Sequence, residues 1–136
     1  MPLPEENPLA AVPSVGPADL RSHPGDGSCL VQLYLRLTVA PDRVQDTVQA
    51  MRAVMAPARL HVDCAGVRLT ADVENPTVLV YAEDWLALDA LTREFHSPRF
   101  TRLMEMMESS TEPPALEIRF VSEVRGQAYV EAQWAR

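Results

Sequence analysis

The sequence predicts an α+β fold built in the order strand, helix, strand, strand, helix, strand. Three observations point to it. Two stretches alternate apolar and polar residues at period two, one beginning near residue 30 and one near residue 116. Two others repeat apolar residues at helical spacing, one after the first strand and one before the last. Between them lie two strand-like runs joined by the turn sequence Glu74-Asn75-Pro76.

In the first strand Val31, Leu33, Leu35, Leu37 and Val39 alternate with Gln32, Tyr34, Arg36 and Thr38, which gives one apolar face. Pro41-Asp42 opens the first helix, because proline is preset for a first turn and Asp42 and Asp46 suit the positive helix end. Val44, Val48, Met51 and Met55 form its apolar stripe, and Pro57 is expected to stop it. Residues 61–73 return to strand character, with Gly66 marking a bulge. Residues 77–83, TVLVYAE, read as a strand buried on both faces.

Leu88, Leu91 and Phe95, then Phe100, Leu103, Met104 and Met107, mark the second helical segment. Ser97-Pro98 interrupts it, and a serine N-cap followed by proline at the first helical position predicts a second helix starting there. After Pro113-Pro114, Leu116, Ile118, Phe120, Ser122 and Val124 alternate with Glu117, Arg119, Val121, Glu123 and Arg125 as the fourth strand. The order is that of two βαβ halves, the split ferredoxin-like arrangement: a four-stranded antiparallel sheet with helices on one face.

Before this unit, residues 1–28 hold Pro2, Pro4, Pro8, Pro13, Pro17 and Pro24, so an extended arm is expected, either a flexible tail, the favoured reading, or a segment that docks on the body or on a partner subunit through Leu3, Leu9, Val12, Val15 and Leu20. The domain is expected over residues 29–126. A C-terminal extension over residues 127–136 would prolong the last strand or reach a neighbouring subunit.

At 136 residues the chain is one domain's worth of protein, and its hydrophobic fraction of 47% is too high for disorder throughout. Twelve Lys+Arg against nineteen Asp+Glu give a net charge of -7, which argues against nucleic acid and anionic membrane as partners. All twelve basic residues are arginine, which removes Schiff-base lysine and phosphate-loop lysine chemistry. Cys29 and Cys64 form no CxxC, and no His/Cys group has metal-ligand spacing, so no metal site is expected. The N-terminal residues are acidic where a signal peptide is basic, and no apolar run reaches a membrane span. A cytoplasmic protein is the expectation. His61 and Asp63 fall on one strand face with Cys64 on the other, so no nucleophilic set assembles locally.

The outer sheet face would carry Tyr34, Arg36 and Thr38 with strand neighbours, a half-apolar surface suited to a second copy of the chain about a twofold axis. Arg36, Arg68 and Arg119 fall opposite the apolar register, with Glu83 and Glu117 near them in pattern, which fits salt bridges across a dimer face and an anion site equally well.

The run Glu74-Asn75-Pro76, Tyr81-Ala82-Glu83-Asp84-Trp85, Ser97-Pro98-Arg99-Phe100 and Pro113-Pro114 resembles the antibiotic biosynthesis monooxygenase family over about residues 30–125. The resemblance implies a homodimeric ferredoxin-like α/β barrel. It implies a monooxygenase, hence an oxidoreductase, that oxidises an aromatic quinol-like or polyketide-like small molecule with molecular oxygen and no metal or flavin cofactor. The alternative is a non-catalytic dimeric small-ligand-binding or stress-associated barrel. By the resemblance Trp85 would line the pocket, and an indole there can stack a planar ring and donate one N–H. Leu35, Phe100 and Met104 would exclude water, and His96 or Tyr81 would handle protons. The chain departs from the family in having Leu35 where many members have asparagine, Met104 at the haem-ligand position, and Glu94 where many place a histidine.

Overall fold

A computed structural model describes residues 30–135; the arm at residues 1–28, with His23, and Cys29 lie outside the described residues. Strand β1 (Leu30–Thr38) leads through a 3-10 turn (Pro41–Arg43) into helix α1 (Val44–Arg59). Then come β2 (Cys64–Ala71), β3 (Val78–Trp85), α2 (Leu88–Glu94), α3 (Pro98–Glu108), β4 (Ala115–Val121) and α4 (Gln127–Trp134). The sheet order is β2-β3-β1-β4, antiparallel throughout, which is the ferredoxin-like topology.

Register explains the core. Val31, Leu33, Leu35 and Leu37 stand opposite Trp85, Glu83, Tyr81 and Leu79, and all eight are buried on the face under α1, α2 and α3. Because neighbouring residues point to opposite faces, Gln32, Tyr34, Arg36 and Thr38 share the outer face with Asp84, Ala82, Val80 and Val78. On the helix side Met51, Val54, Met55 and Ala58 of α1, Leu91 of α2 and Leu103 of α3 complete the core.

Four expectations need correction. Pro57 lies inside α1, which continues to Arg59; in the last turn only one ladder bond is lost, and the Leu60 N–H caps the end on the carbonyls of Ala58 and Pro57. Strand β2 begins at Cys64, because His61 and Asp63 form a turn in which the Asp63 N–H donates to His61 Nδ1 at 3.1 Å. Strand β4 ends at Val121, and the chain then forms α4 in place of a longer strand. Glu83 faces the helices, opposite the side that carries Arg68 and Arg119. The register shift between Cys64 and Gly66 is the expected irregularity near Gly66.

The Ser97 restart is present. The Ser97 Oγ accepts the Phe100 N–H at 3.2 Å and donates to the Glu94 carbonyl at 2.7 Å, which ties the end of α2 to the start of α3. At the other end of α3, the Thr111 N–H donates to the Thr38 carbonyl at 2.8 Å and fixes the helix over β1.

Candidate functional site

Tyr81, Glu83 and Trp85 alternate along β3, so all three project into the layer between sheet and helices, where each is 0% exposed. A carboxylate there requires partners, since an unpaired buried charge is costly. Glu83 has three. The Trp85 Nε1–H donates to Oε1 at 2.9 Å, the Tyr81 hydroxyl donates to Oε2, and Arg99 approaches with Nη1 2.5 Å from Oε2 and Nη2 3.3 Å from Oε1.

Arg99 sits in the first turn of α3 and is itself buried. Its Nε and Nη2 donate to Glu94 Oε1 at 3.1 and 2.9 Å, and its Nη1 lies 3.4 Å from the Val54 carbonyl of α1. One side chain therefore joins β3, α1 and the junction of α2 with α3. Burial works against the Arg99 charge, but the hydrogen bonds and ion pairs with Glu83 and Glu94 outweigh it, and the net effect raises its pKa. Burial, followed by the neighbouring Glu83 carboxylate, pushes the Tyr81 phenol well above its ordinary range.

Among the residues singled out from the sequence, Leu35, Tyr81 and Trp85 are brought together at the centre of this layer, and Phe100 and Met104 of α3 pack half-buried against it. The Trp85 N–H is already engaged by Glu83. His96 stands exposed at the break between α2 and α3. The histidine beside Trp85 is His61, with ring centroids 4.9 Å apart and planes at 70°. Cys64, beside them at the start of β2, is a free thiol whose pKa is pushed up, chiefly by burial.

Sequence reading did not single out Arg99 or give Glu83 this role. One signal was present: Glu83 occupies an apolar-register position in a strand expected to be buried on both faces, and such a carboxylate needs a cation. Nothing in the spacing identified which of the twelve arginines supplies it.

The outer sheet face holds a shallow depression of about 240 Å³, floored by Val80 and Ala82 and bounded by Gln32, Tyr34, Arg68, Thr70 and Arg119. Here Arg68 Nη1 lies 2.5 Å from Asp84 Oδ2, Gln32 Nε2 donates to Asp84 Oδ1 at 2.9 Å, and the Arg119 guanidinium stacks 3.7 Å above the Tyr34 ring. Arg119 also pairs with Glu117, so both ion pairs on this face lie within the chain. Among the described residues no group of three or more His, Cys, Asp or Glu is arranged to hold a metal ion, and no helix is long and apolar enough to cross a membrane.

A four-stranded antiparallel sheet in the order β2-β3-β1-β4, with helices packed on one face, defines the ferredoxin-like α+β fold class, to which a solved antibiotic biosynthesis monooxygenase structure also belongs. Solved structures share this fold. One, an antibiotic biosynthesis monooxygenase, superposes with a TM-score of 0.60 at 18% identity, over 70% of this chain and 99% of its own. The protein PA3566 of Pseudomonas aeruginosa gives 0.59 at 23%, over 74% and 100%. Rv0793 of Mycobacterium tuberculosis gives 0.59 at 21%, over 73% and 98%. No family model and no curated protein matches the sequence.

Proposed function

We propose that the protein is a cofactor-independent monooxygenase of a planar aromatic quinol-like or polyketide-like molecule, acting as a homodimer. The observation that carries this reading is the Glu83–Arg99 pair, buried with Tyr81 and Trp85 in an otherwise apolar layer. A buried ion pair contributes little net stability compared with apolar residues of the same volume, and buried charged clusters gather at functional sites. The monooxygenase with the same fold supports the reaction class.

In this reading the ligand enters the seam between α3 and the sheet, with Phe100 and Met104 as the movable wall and Leu35 excluding water. Trp85 stacks the ring, its orientation held by Glu83. Full burial of Leu35, Tyr81 and Trp85 provides the dry environment in which a substrate anion meets oxygen. For an anthrone-type methylene the balance is simple: the CH2 becomes a carbonyl, one oxygen atom enters the product and the other leaves as water. Proton exchange with solvent is assigned to His96 at the helix break. His61, against Trp85, is the competing carrier, and separate alanine variants distinguish them by which one lowers turnover.

The outer sheet face, with its apolar floor of Val80 and Ala82, is assigned to the second copy. Ala82→Arg should shift the protein from dimer to monomer in light scattering.

The test is oxygen uptake by metal-free protein offered anthrones, naphthoquinols and catechol-type quinols, beside Trp85→Phe. Protein-dependent uptake that the variant loses supports the assignment. Saturable binding of these ligands without uptake supports a second reading, a non-catalytic ligand-binding or stress-associated barrel. That reading is favoured by one observation: Tyr81, Glu83 and Arg99 already satisfy one another and leave no polar group of the trio open to a ligand.

A further inference from the structure

Helix α4 is an exposed element with no buried residue. Tyr129 is 45% exposed, Val130 59% and Trp134 85%. Val130 and Trp134 are four residues apart and share a face, and Tyr129 flanks them with Arg125 stacked 5.0 Å from its ring. An isolated helix of eight residues is marginal in water, and contiguous exposed aromatic and aliphatic groups mark a contact surface.

The sheet register indicates what lies within reach. Leu30, the first residue of β1, pairs with Val121, the last residue of β4. The chain preceding β1 and the chain leading into α4 therefore leave the sheet side by side, from adjacent strands at one end. The segment that enters there, residues 1–28, carries six prolines together with Leu9, Val12 and Val15. Proline-rich chain favours polyproline geometry, loses little entropy on docking, and is recognised by surfaces of aromatic side chains.

We propose that residues 1–28 of the same chain cover the Tyr129, Val130 and Trp134 surface of α4, so that the two terminal segments form one unit at the end of the sheet where Leu30 meets Val121. This pairing is separate from the oxygenase reading and uses no residue of that site.

The test uses the full chain with Gln133 replaced by the photoreactive p-benzoylphenylalanine, prepared as an equal mixture of 15N-labelled and unlabelled protein. Irradiation should give same-label cross-links from position 133 to peptides within residues 1–28. In the unsubstituted chain, hydrogen exchange of the α4 amides should quicken about tenfold in the Val12→Asp/Val15→Asp double variant, since protection there comes from the docked segment. Cross-links into the domain, mixed-label cross-links, no cross-links, or α4 exchange unchanged by the double variant would each overturn the proposal.

Discussion

Arg99 and Glu83 meet end on in the interior, with Nη1 2.5 Å from Oε2 and Nη2 3.3 Å from Oε1, although they lie on different elements sixteen residues apart. This contact holds the first turn of α3 against β3, and through Glu94 and the Val54 carbonyl it also engages α2 and α1. Removing one partner leaves the other charge buried without compensation. Arg99→Met should therefore cost about 3–5 kcal/mol in denaturant unfolding. The double variant Arg99→Met/Glu83→Gln should recover a large part of that loss, because it removes the stranded charge; additive losses would show that the two residues act independently.

The Tyr81 phenol is pushed up in the folded state by burial and by Glu83, so above pH 10 the unfolded chain releases a proton that the folded chain retains. The folded state then binds more protons than the unfolded one, and stability falls as pH rises. The decline should approach about 1.4 kcal/mol per pH unit above pH 10. Tyr81→Phe should flatten that part of the profile. In ultraviolet titration the absorbance step lost in this variant should coincide with alkaline unfolding.

Asp84 behaves in the opposite sense. Burial opposes its charge, but hydrogen bonds from Arg68 and Gln32 prevail and hold its carboxyl below the ordinary carboxylate range. A depressed carboxyl contributes stability that is present above its unfolded pKa of about 4 and is lost as pH falls through the folded value. Arg68→Ala should be less stable than the parent at pH 7 by no more than about 1 kcal/mol, as for a partly exposed pair. The difference should shrink as pH drops below 4, which urea unfolding over a pH series would show.

Ser97 caps α3 through the Phe100 N–H and holds the Glu94 carbonyl at the end of α2. Ser97→Ala should cost about 1 kcal/mol, within the usual range for a lost N-cap. Ser97→Asp should retain most of that stability, because its carboxylate can accept the same N–H. Equal losses in both variants would show that the bond from the Ser97 hydroxyl to Glu94, which an aspartate cannot donate, matters more than the cap.

The sequence by itself determined the order of elements from β1 to β4 and the buried face of β1. Period two places Leu33, Leu35 and Leu37 on one side because successive side chains must alternate, and Ser97-Pro98 specifies a helix start through chemistry confined to four residues. Leu35 was assigned to the apolar face by the same logic and lies there, whereas Tyr81 was read only as part of a strand buried on both faces and Trp85 was set against the pocket by family resemblance and not by periodicity. Tertiary structure alone decided that Pro57 is tolerated in a last turn, that the chain after β4 becomes a helix, and that Glu83 receives Arg99. Each depends on groups distant in sequence or on where an element ends, which local periodicity does not encode. An arginine in the first turn of a helix reads locally as a surface residue. It becomes the buried partner of a strand carboxylate only when β3 and α3 pack together and exclude water from both charges.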